Sequence, residues 1–212
     1  MRWINALTFM IVAVLPAAAV AASWGCYGTK PGHPTPAERL AFVHEAGELA
    51  VKAEIAHGVP ASGLAAISIA ESGYGWTRVA LQANNFFAWK SGSAATDAGR
   101  KSYRASCPGR RNVQYVIFRN KADSFDYVAA KLATLNAYRE HTEAYKAARK
   151  RGDPTGPAVA AWVAGIARRY SEKPAEFTRK ITRLMNNPIE PADTPSPEHN
   201  LHQLSARASS KR

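Results

Sequence analysis

The stretch from Ala61 to Lys90 constrains this chain more than any other. Its core, Leu64-Ala65-Ala66-Ile67-Ser68-Ile69-Ala70-Glu71-Ser72-Gly73-Tyr74-Gly75-Trp76, sets one carboxyl group in a short apolar run and closes the run with glycines and aromatics. Read as a helix, it places Leu64, Ile67 and Glu71 at i, i+3 and i+7, so the acid shares the face turned to the core. Desolvation disfavours the charged carboxylate there, and the negative end of the helix dipole acts in the same direction. A carboxyl still protonated near neutral pH can protonate a departing sugar oxygen, the step that glycoside hydrolysis needs. Glu71 is therefore a candidate general acid. The plain structural alternative is a rim glutamate, hydrated or paired with Arg78.

The rest of the chain reads as helices around a small irregular lobe. Thr35-Pro36-Ala37-Glu38 is a capping box with proline at the first helical position, which predicts a helix to about Ala56, stopped by Gly58 and with Leu40, Val43 and Gly47 on its inner face. Val59-Pro60 opens the Glu71 helix, and Arg78 to Gln82 adds one more turn. Between Phe86 and Lys121 the only strand-like run is Val113 to Phe118, so this segment is expected to be a β-hairpin lobe. Asp123 is the expected N-cap of one long helix whose stripe runs through Phe125, Val128, Leu132, Leu135, Tyr138, Thr142 and Tyr145. Aromatics at that spacing usually mean core. Gly152-Asp153-Pro154 ends this helix, Pro157 begins another to about Ile166, and a last one runs from Lys173 or Pro174 to Met185. Beyond Asn187 there is little to bury, and a disordered tail is expected over residues 188–212.

Two segments carry a family resemblance. Glu71-Ser72-Gly73-Tyr74-Gly75 with Leu81-Gln82-Ala83-Asn84-Asn85-Phe86-Phe87-Ala88-Trp89-Lys90 resembles the glutamate helix and following turn of the bacterial endo-β-N-acetylglucosaminidases, flagellar-type and Bax-like members included. Phe86 stands where that pattern has leucine, and Ala88 where it has glycine. Ala167-Arg168-Arg169-Tyr170-Ser171-Glu172-Lys173 is similar to the Tyr-Ser-Glu segment of the Bax-like branch. The resemblance implies a mainly α (α+β), lysozyme-like domain over 35–187, acting on peptidoglycan glycan strands. It also leads one to expect a second glutamate from the β-lobe, yet Gly99-Arg100-Lys101-Ser102-Tyr103-Arg104 holds none. Three outcomes stay open: the substrate's own acetamido group serves as nucleophile while Tyr170 stabilises the developing charge, Asp97 serves as base from a flexible loop, or the protein only binds glycan. A lytic transglycosylase is a further alternative.

Trp76, Phe86, Phe87 and Trp89 are candidates to stack on sugar faces, although at least two of them should be core. Asn84 and Asn85 either bind an acetamido group or close the turn. The hydroxyl of Tyr170 points into a cleft or belongs to a core ring with a wet tip. Glu172 reads as a helix-start residue.

The first residues, Met1-Arg2-Trp3, an apolar segment to Val20 and Ala21-Ala22-Ser23, describe a secretory signal peptide cleaved after Ala22, followed by a linker over 23–34. The rival is an uncleaved membrane anchor. A periplasmic or secreted location follows, and in that oxidising setting Cys26 and Cys107, the only cysteines, are expected to pair. The formal net charge of +12 is concentrated between Ser72 and Ala122, where nine Lys/Arg face only Asp97. Outside the cytoplasm such a surface meets wall polymers and anionic lipids rather than nucleic acid, or is simply solubilising. The six histidines show no metal-ligand spacing, and no nucleophile elbow or phosphate-binding glycine loop is present. No metal, cofactor or nucleic acid is expected, and the chain is expected to act as a monomer.

Overall fold

The computed structural model describes residues 24–92, 97, 99–105, 113–194 and 196–211. Helix α1 spans Pro36–His57, α2 Ala61–Ser72 and α3 Arg78–Ala83; strands β1 (Ser102–Ala105) and β2 (Val113–Val116) follow, then α4 (Lys121–Thr134), α5 (Asn136–Lys150), α6 (Thr155–Tyr170), α7 (Pro174–Asn186) and α8 (His202–Ser210). The mainly helical fold with a small hairpin lobe is as expected. The expected signal peptide and Cys107 lie outside the described residues. Cys26 is disulfide-bonded.

Helix α2 is the centre of the molecule. Every residue from Ala61 to Ile69 is buried, and α1, α6, α7 and α8 pack around it. A helix apolar on all sides has to be enclosed in this way. Complete burial of Leu64 and Ile67 contributes about 2 kcal/mol for each side chain. Gly63 lets Trp162 of α6 come close, since a Cβ there would lie 2.9 Å from the indole. The amphipathic reading of this helix holds only at its last turn, where Ala70 and Glu71 emerge from the core.

The two ends of α2 are closed differently, the start by a side chain and the end by a glycine turn. At its start the carboxylate of Glu54, only 1% exposed, accepts the Ala61 N–H at 2.7 Å and the Tyr145 hydroxyl at 2.7 Å. At its end Gly73 turns left-handed (φ 55°) and returns its N–H to Ile69. A Cβ on Gly73 would lie 2.3 Å from Thr29, so glycine is required both for the turn and for the approach of the N-terminal segment.

That segment is not a loose linker. Lys30 donates its N–H to the Trp76 carbonyl, His33 stacks on Trp76 with ring centroids 3.9 Å apart, and the Arg78 guanidinium covers Trp24 at 4.1 Å. The capping box of α1 forms as expected, but its inner face is Phe42, Ala46, Ala50 and Ala53 together with Gly47; Leu40 and Val43 are only half-buried.

Three further expectations change. The N-cap of α4 is Asn120, and Asp123 stands one turn in, where it accepts bonds from the Arg119 N–H, the Arg119 guanidinium and Arg100. Burial pushes the Asp123 carboxyl up, but these bonds outweigh it and hold the group below the usual range. The single long helix is two, because Leu135 is extended (ψ 133°) and 38% exposed. The break turns Tyr138, Thr142 and Tyr145 against α6, where Trp162 donates to the Thr142 hydroxyl, which in turn donates to the Leu132 carbonyl freed at the end of α4. Helix α6 starts earlier than Pro157 and ends later than Ile166.

The expected disordered tail instead carries α8. Leu201, Leu204 and Ala208 are buried at i, i+3 and i+7, Leu204 lies over Gly47, and the Ser205 hydroxyl accepts the Ser62 N–H at 3.1 Å. Three apolar residues at helical spacing suffice once α1 and α2 offer a surface.

Candidate active site

A cavity of about 700 Å3 opens where the end of α2, the β-hairpin, the loop after α3, the α4/α5 break and the α6–α7 connection meet. Glu71 lies in its wall together with Trp89, Tyr115, Tyr138, Tyr170 and Lys180.

Glu71 is half-buried and makes no side-chain hydrogen bond or ion pair among the described residues. Burial pushes its carboxyl above the ordinary range, against the opposing charge of Lys180 on α7. Lys180 also donates to the Ala70 carbonyl at 3.1 Å, which ties α7 to the last turn of α2. The alternative of an Arg78 pair is not realised, because Arg78 donates to the Trp24 carbonyl and lies over that indole.

Tyr170 comes to the same cavity from the last residue of α6. Its hydroxyl donates to the Phe87 carbonyl at 2.8 Å. Burial first, and then the charge of Glu71, hold its phenol well above the usual value, so it remains protonated. Its ring belongs to an aromatic box: Trp89 lies 6.2 Å from Tyr170, 6.3 Å from Tyr138 and 6.5 Å from Tyr127. Offset and edge contacts of this kind hold rings rigidly while leaving some faces for a ligand.

The other candidate residues are placed elsewhere. Trp76 is on the N-terminal segment's side, stacked on His33, and does not line the cavity. Phe86 is core, 5% exposed and 5.9 Å from Phe42. The Asn84 amide donates to the Phe118 carbonyl at 3.1 Å. Asn85, 1% exposed, donates to the carbonyls of Trp89 and Val116 and accepts the N–H groups of Phe87 and Trp89. Both asparagines therefore close the turn, and Asn85 folds the loop that presents Trp89. Ala88 takes a left-handed φ of 48° within it, a conformation that costs a residue with a Cβ about 1–2 kcal/mol.

Asp97 also reaches the cavity wall, and it is not on a free loop end: it is 3% exposed and accepts the Ser91 hydroxyl at 2.7 Å and the Gly92 N–H at 2.9 Å. Glu172 lies at the rim with its side chain 90% exposed, paired with Lys90 at 3.4 Å.

Sequence reasoning missed Tyr115, Tyr138 and Lys180. Tyr115 faces the cavity from β2, hydrogen-bonded to Tyr27; burial foremost, then Tyr27, then Glu71 and Glu172, push its phenol up to about 12. Its strand position was visible, but which face of the hairpin meets α2 was not. Tyr138 continues the helical stripe in the sequence, and only the break at Leu135 turns its buried ring toward the cavity. Lys180 sits three residues after buried Phe177, and nothing in the sequence ties it to Glu71. Among the described residues no group of three His, Cys, Asp or Glu side chains could hold a metal ion.

With this geometry in view, comparison with known proteins gives three findings. The family model of mannosyl-glycoprotein endo-β-N-acetylglucosaminidase, the glucosaminidase domain, matches residues 47–188. The catalytic domain of the autolysin Auto from Listeria monocytogenes has a similar structure, with a TM-score of 0.55 over 81% of this chain and 89% of that one, at 18% identity. No curated protein sequence matches the chain.

Proposed function

The chain belongs to the mannosyl-glycoprotein endo-β-N-acetylglucosaminidase family of glycoside hydrolases, and we propose that it is an exported peptidoglycan hydrolase that cuts the β-1,4 bond after N-acetylglucosamine with Glu71 as general acid. The observation that carries this reading is the state of Glu71: an unpaired, half-buried carboxyl in the wall of a cavity lined by aromatic rings. Its burial raises the carboxyl's pKa, the direction a general acid needs, and the aromatic box with Trp89 at its centre offers a sugar a face to stack on.

Among the described residues lining the cavity, no second carboxyl stands without a partner as Glu71 does. Asp97 is held by Ser91 and Gly92, Glu172 pairs with Lys90 and Glu176 with Lys173. This favours attack by the substrate's own acetamido oxygen on the anomeric carbon while the glycosidic bond breaks and Glu71 gives its proton to the leaving oxygen. Water then opens the cyclic intermediate and returns a proton to Glu71. The hydroxyl hydrogen of Tyr170 is committed to Phe87, which leaves the oxygen lone pairs to face developing positive charge. Lys180 steadies the carboxylate that Glu71 becomes once its proton has left.

The test is digestion of purified peptidoglycan with mass spectrometry of the products. New reducing N-acetylglucosamine ends from the wild type and none from Glu71→Gln are expected. Equal release from both proteins, or none from either, overturns the reading, and anhydro-muramyl ends reassign the chain as a lytic transglycosylase.

A further inference from the structure

Helix α7 has a second working face. Glu176, Phe177 and Lys180 look into the cavity described above, while on the opposite side of the helix a shallow groove of about 770 Å3 runs between α6 and α7. Its cations are Arg168 from α6 and Arg179 and Arg183 from α7, and no acidic residue lines it. None of the three guanidinium groups has an ion-pair or hydrogen-bond partner among the described residues. Arg168 and Arg183 stand in the last turns of their helices, where the dipole favours a cation. That accounts for two of them. Arg179 is mid-helix, and its like charge at i, i+4 to Arg183 carries a small cost that a bound anion would relieve.

The choice of cation is informative. The cavity around Glu71 uses Lys90, Lys131, Lys173 and Lys180 with a single arginine, whereas the groove uses arginine alone. The planar guanidinium fork matches the two free oxygens of a phosphate, which an ammonium does not. Residues at i, i+4 are about 6 Å apart on a helix surface. An extended chain advances about 3.5 Å for every three backbone bonds, so a polymer with a phosphodiester every six bonds offers a charge at about the same interval. Thr182 and Asn186, on the same face of α7, add neutral hydrogen-bonding groups along the track. The groove has no aromatic ring on which a base could stack. None of the large exposed apolar side chains, Tyr27, Ile55, Leu81 and Leu135, lies beside it to enter a bilayer.

We propose that the α6–α7 groove binds a strand of phosphodiester polymer through Arg168, Arg179 and Arg183, holding the enzyme on an anionic wall polymer while the opposite face of α7 serves the catalytic cavity.

The experiment measures binding of the full chain to poly(glycerol phosphate) by calorimetry over a salt series. Wild type is expected to bind, and Arg168→Gln/Arg179→Gln/Arg183→Gln to bind at least ~10-fold more weakly with a salt slope lower by about two, as for loss of three phosphate contacts on a single strand. Lys52→Gln/Arg139→Gln/Lys150→Gln removes the same charge from other exposed positions and is expected to lose less than ~3-fold, which separates a site from net charge. Circular dichroism checks both variants, and Arg179→Gln alone, expected to weaken binding about 3-fold, replaces the triple if that fails to fold. No binding by wild type, equal loss in the two triples, or equal or tighter binding to poly-L-glutamate or to phosphatidylglycerol vesicles overturns the proposal. Glu71→Gln is expected to bind the polymer as wild type does, so the groove and the catalytic reading stand or fall separately.

Discussion

The two most telling carboxyl groups among the described residues meet the two ends of α2, Glu54 reaching its start from α1 and Glu71 standing in its last turn, and they have opposite fates. At the start of the helix Glu54 is sealed in, its oxygens bonded to the Ala61 N–H and the Tyr145 hydroxyl. At the other end Glu71 is half-buried, without a hydrogen-bond partner, and open to a cavity. A satisfied buried carboxylate fixes a fold; one desolvated without partners holds its proton and is available for chemistry. The closed end rests under α8. The open end is made of left-handed turns at Gly73, Tyr74, Gly75 and Ala88. Of these positions Ala88 lines the cavity, and it is a non-glycine residue held in the left-handed region there.

Exchanging the fates of the two groups by mutation gives the largest expected effects. Glu71→Gln is expected to lower the hydrolysis rate by about 10²–10⁴ while thermal unfolding shows no loss of stability. Glu54→Ala strands the Tyr145 hydroxyl and the first N–H of α2, and is expected to cost about 3 kcal/mol in denaturant unfolding, with the rate per folded molecule near wild type. If Glu54→Ala abolishes the rate in protein that is still folded, the division between the two ends fails.

Lys180 offers a finer test. It is the cation whose charge opposes the burial of Glu71, so Lys180→Met is expected to move the alkaline limb of the pH–rate profile upward, and Lys180→Arg to restore it. The same raised pKa has a consequence for stability. The folded state holds the Glu71 proton more firmly than the unfolded chain does, so its contribution is full below the unfolded pKa and is lost as pH rises through the folded one. Glu71→Gln should therefore unfold at a slightly higher temperature than wild type at neutral pH, with the gap closing in acid.

The smallest expected effect concerns strain at the open end. Ala88→Gly relieves a left-handed alanine and is expected to add about 1 kcal/mol of stability. Unchanged or lower stability in denaturant would mean that the methyl group compensates by packing against the neighbouring hairpin.

How far the sequence revealed this depends on whether the signal was local. The capping box at Thr35, the Gly73 stop and the apolar run that carries Glu71 are short-range patterns, and each became the element it predicted. Tyr170 was found through the segment around it, not through anything that linked it to Glu71. What failed was long-range. Asn84, Asn85 and Phe86 carried the motif yet fold the turn, because a turn that presents Trp89 to a cavity must itself be satisfied. The break at Leu135 and the docking of α8 depend on surfaces supplied by α6, α1 and α2, which no pattern within those segments encodes. Glu54 passed as an ordinary helix residue, although it is the most completely buried acid among the described residues.

Site-specific carbon labelling of the glutamate carboxyls, followed by NMR titration with Glu71→Gln to assign the resonance, tests the central claim most directly. The account predicts that Glu71 titrates above the ordinary glutamate value of about 4.3 and moves higher still in Lys180→Met. A Glu71 that titrates at or below that value would mean a solvated or paired carboxylate, and would contradict its part as the acid.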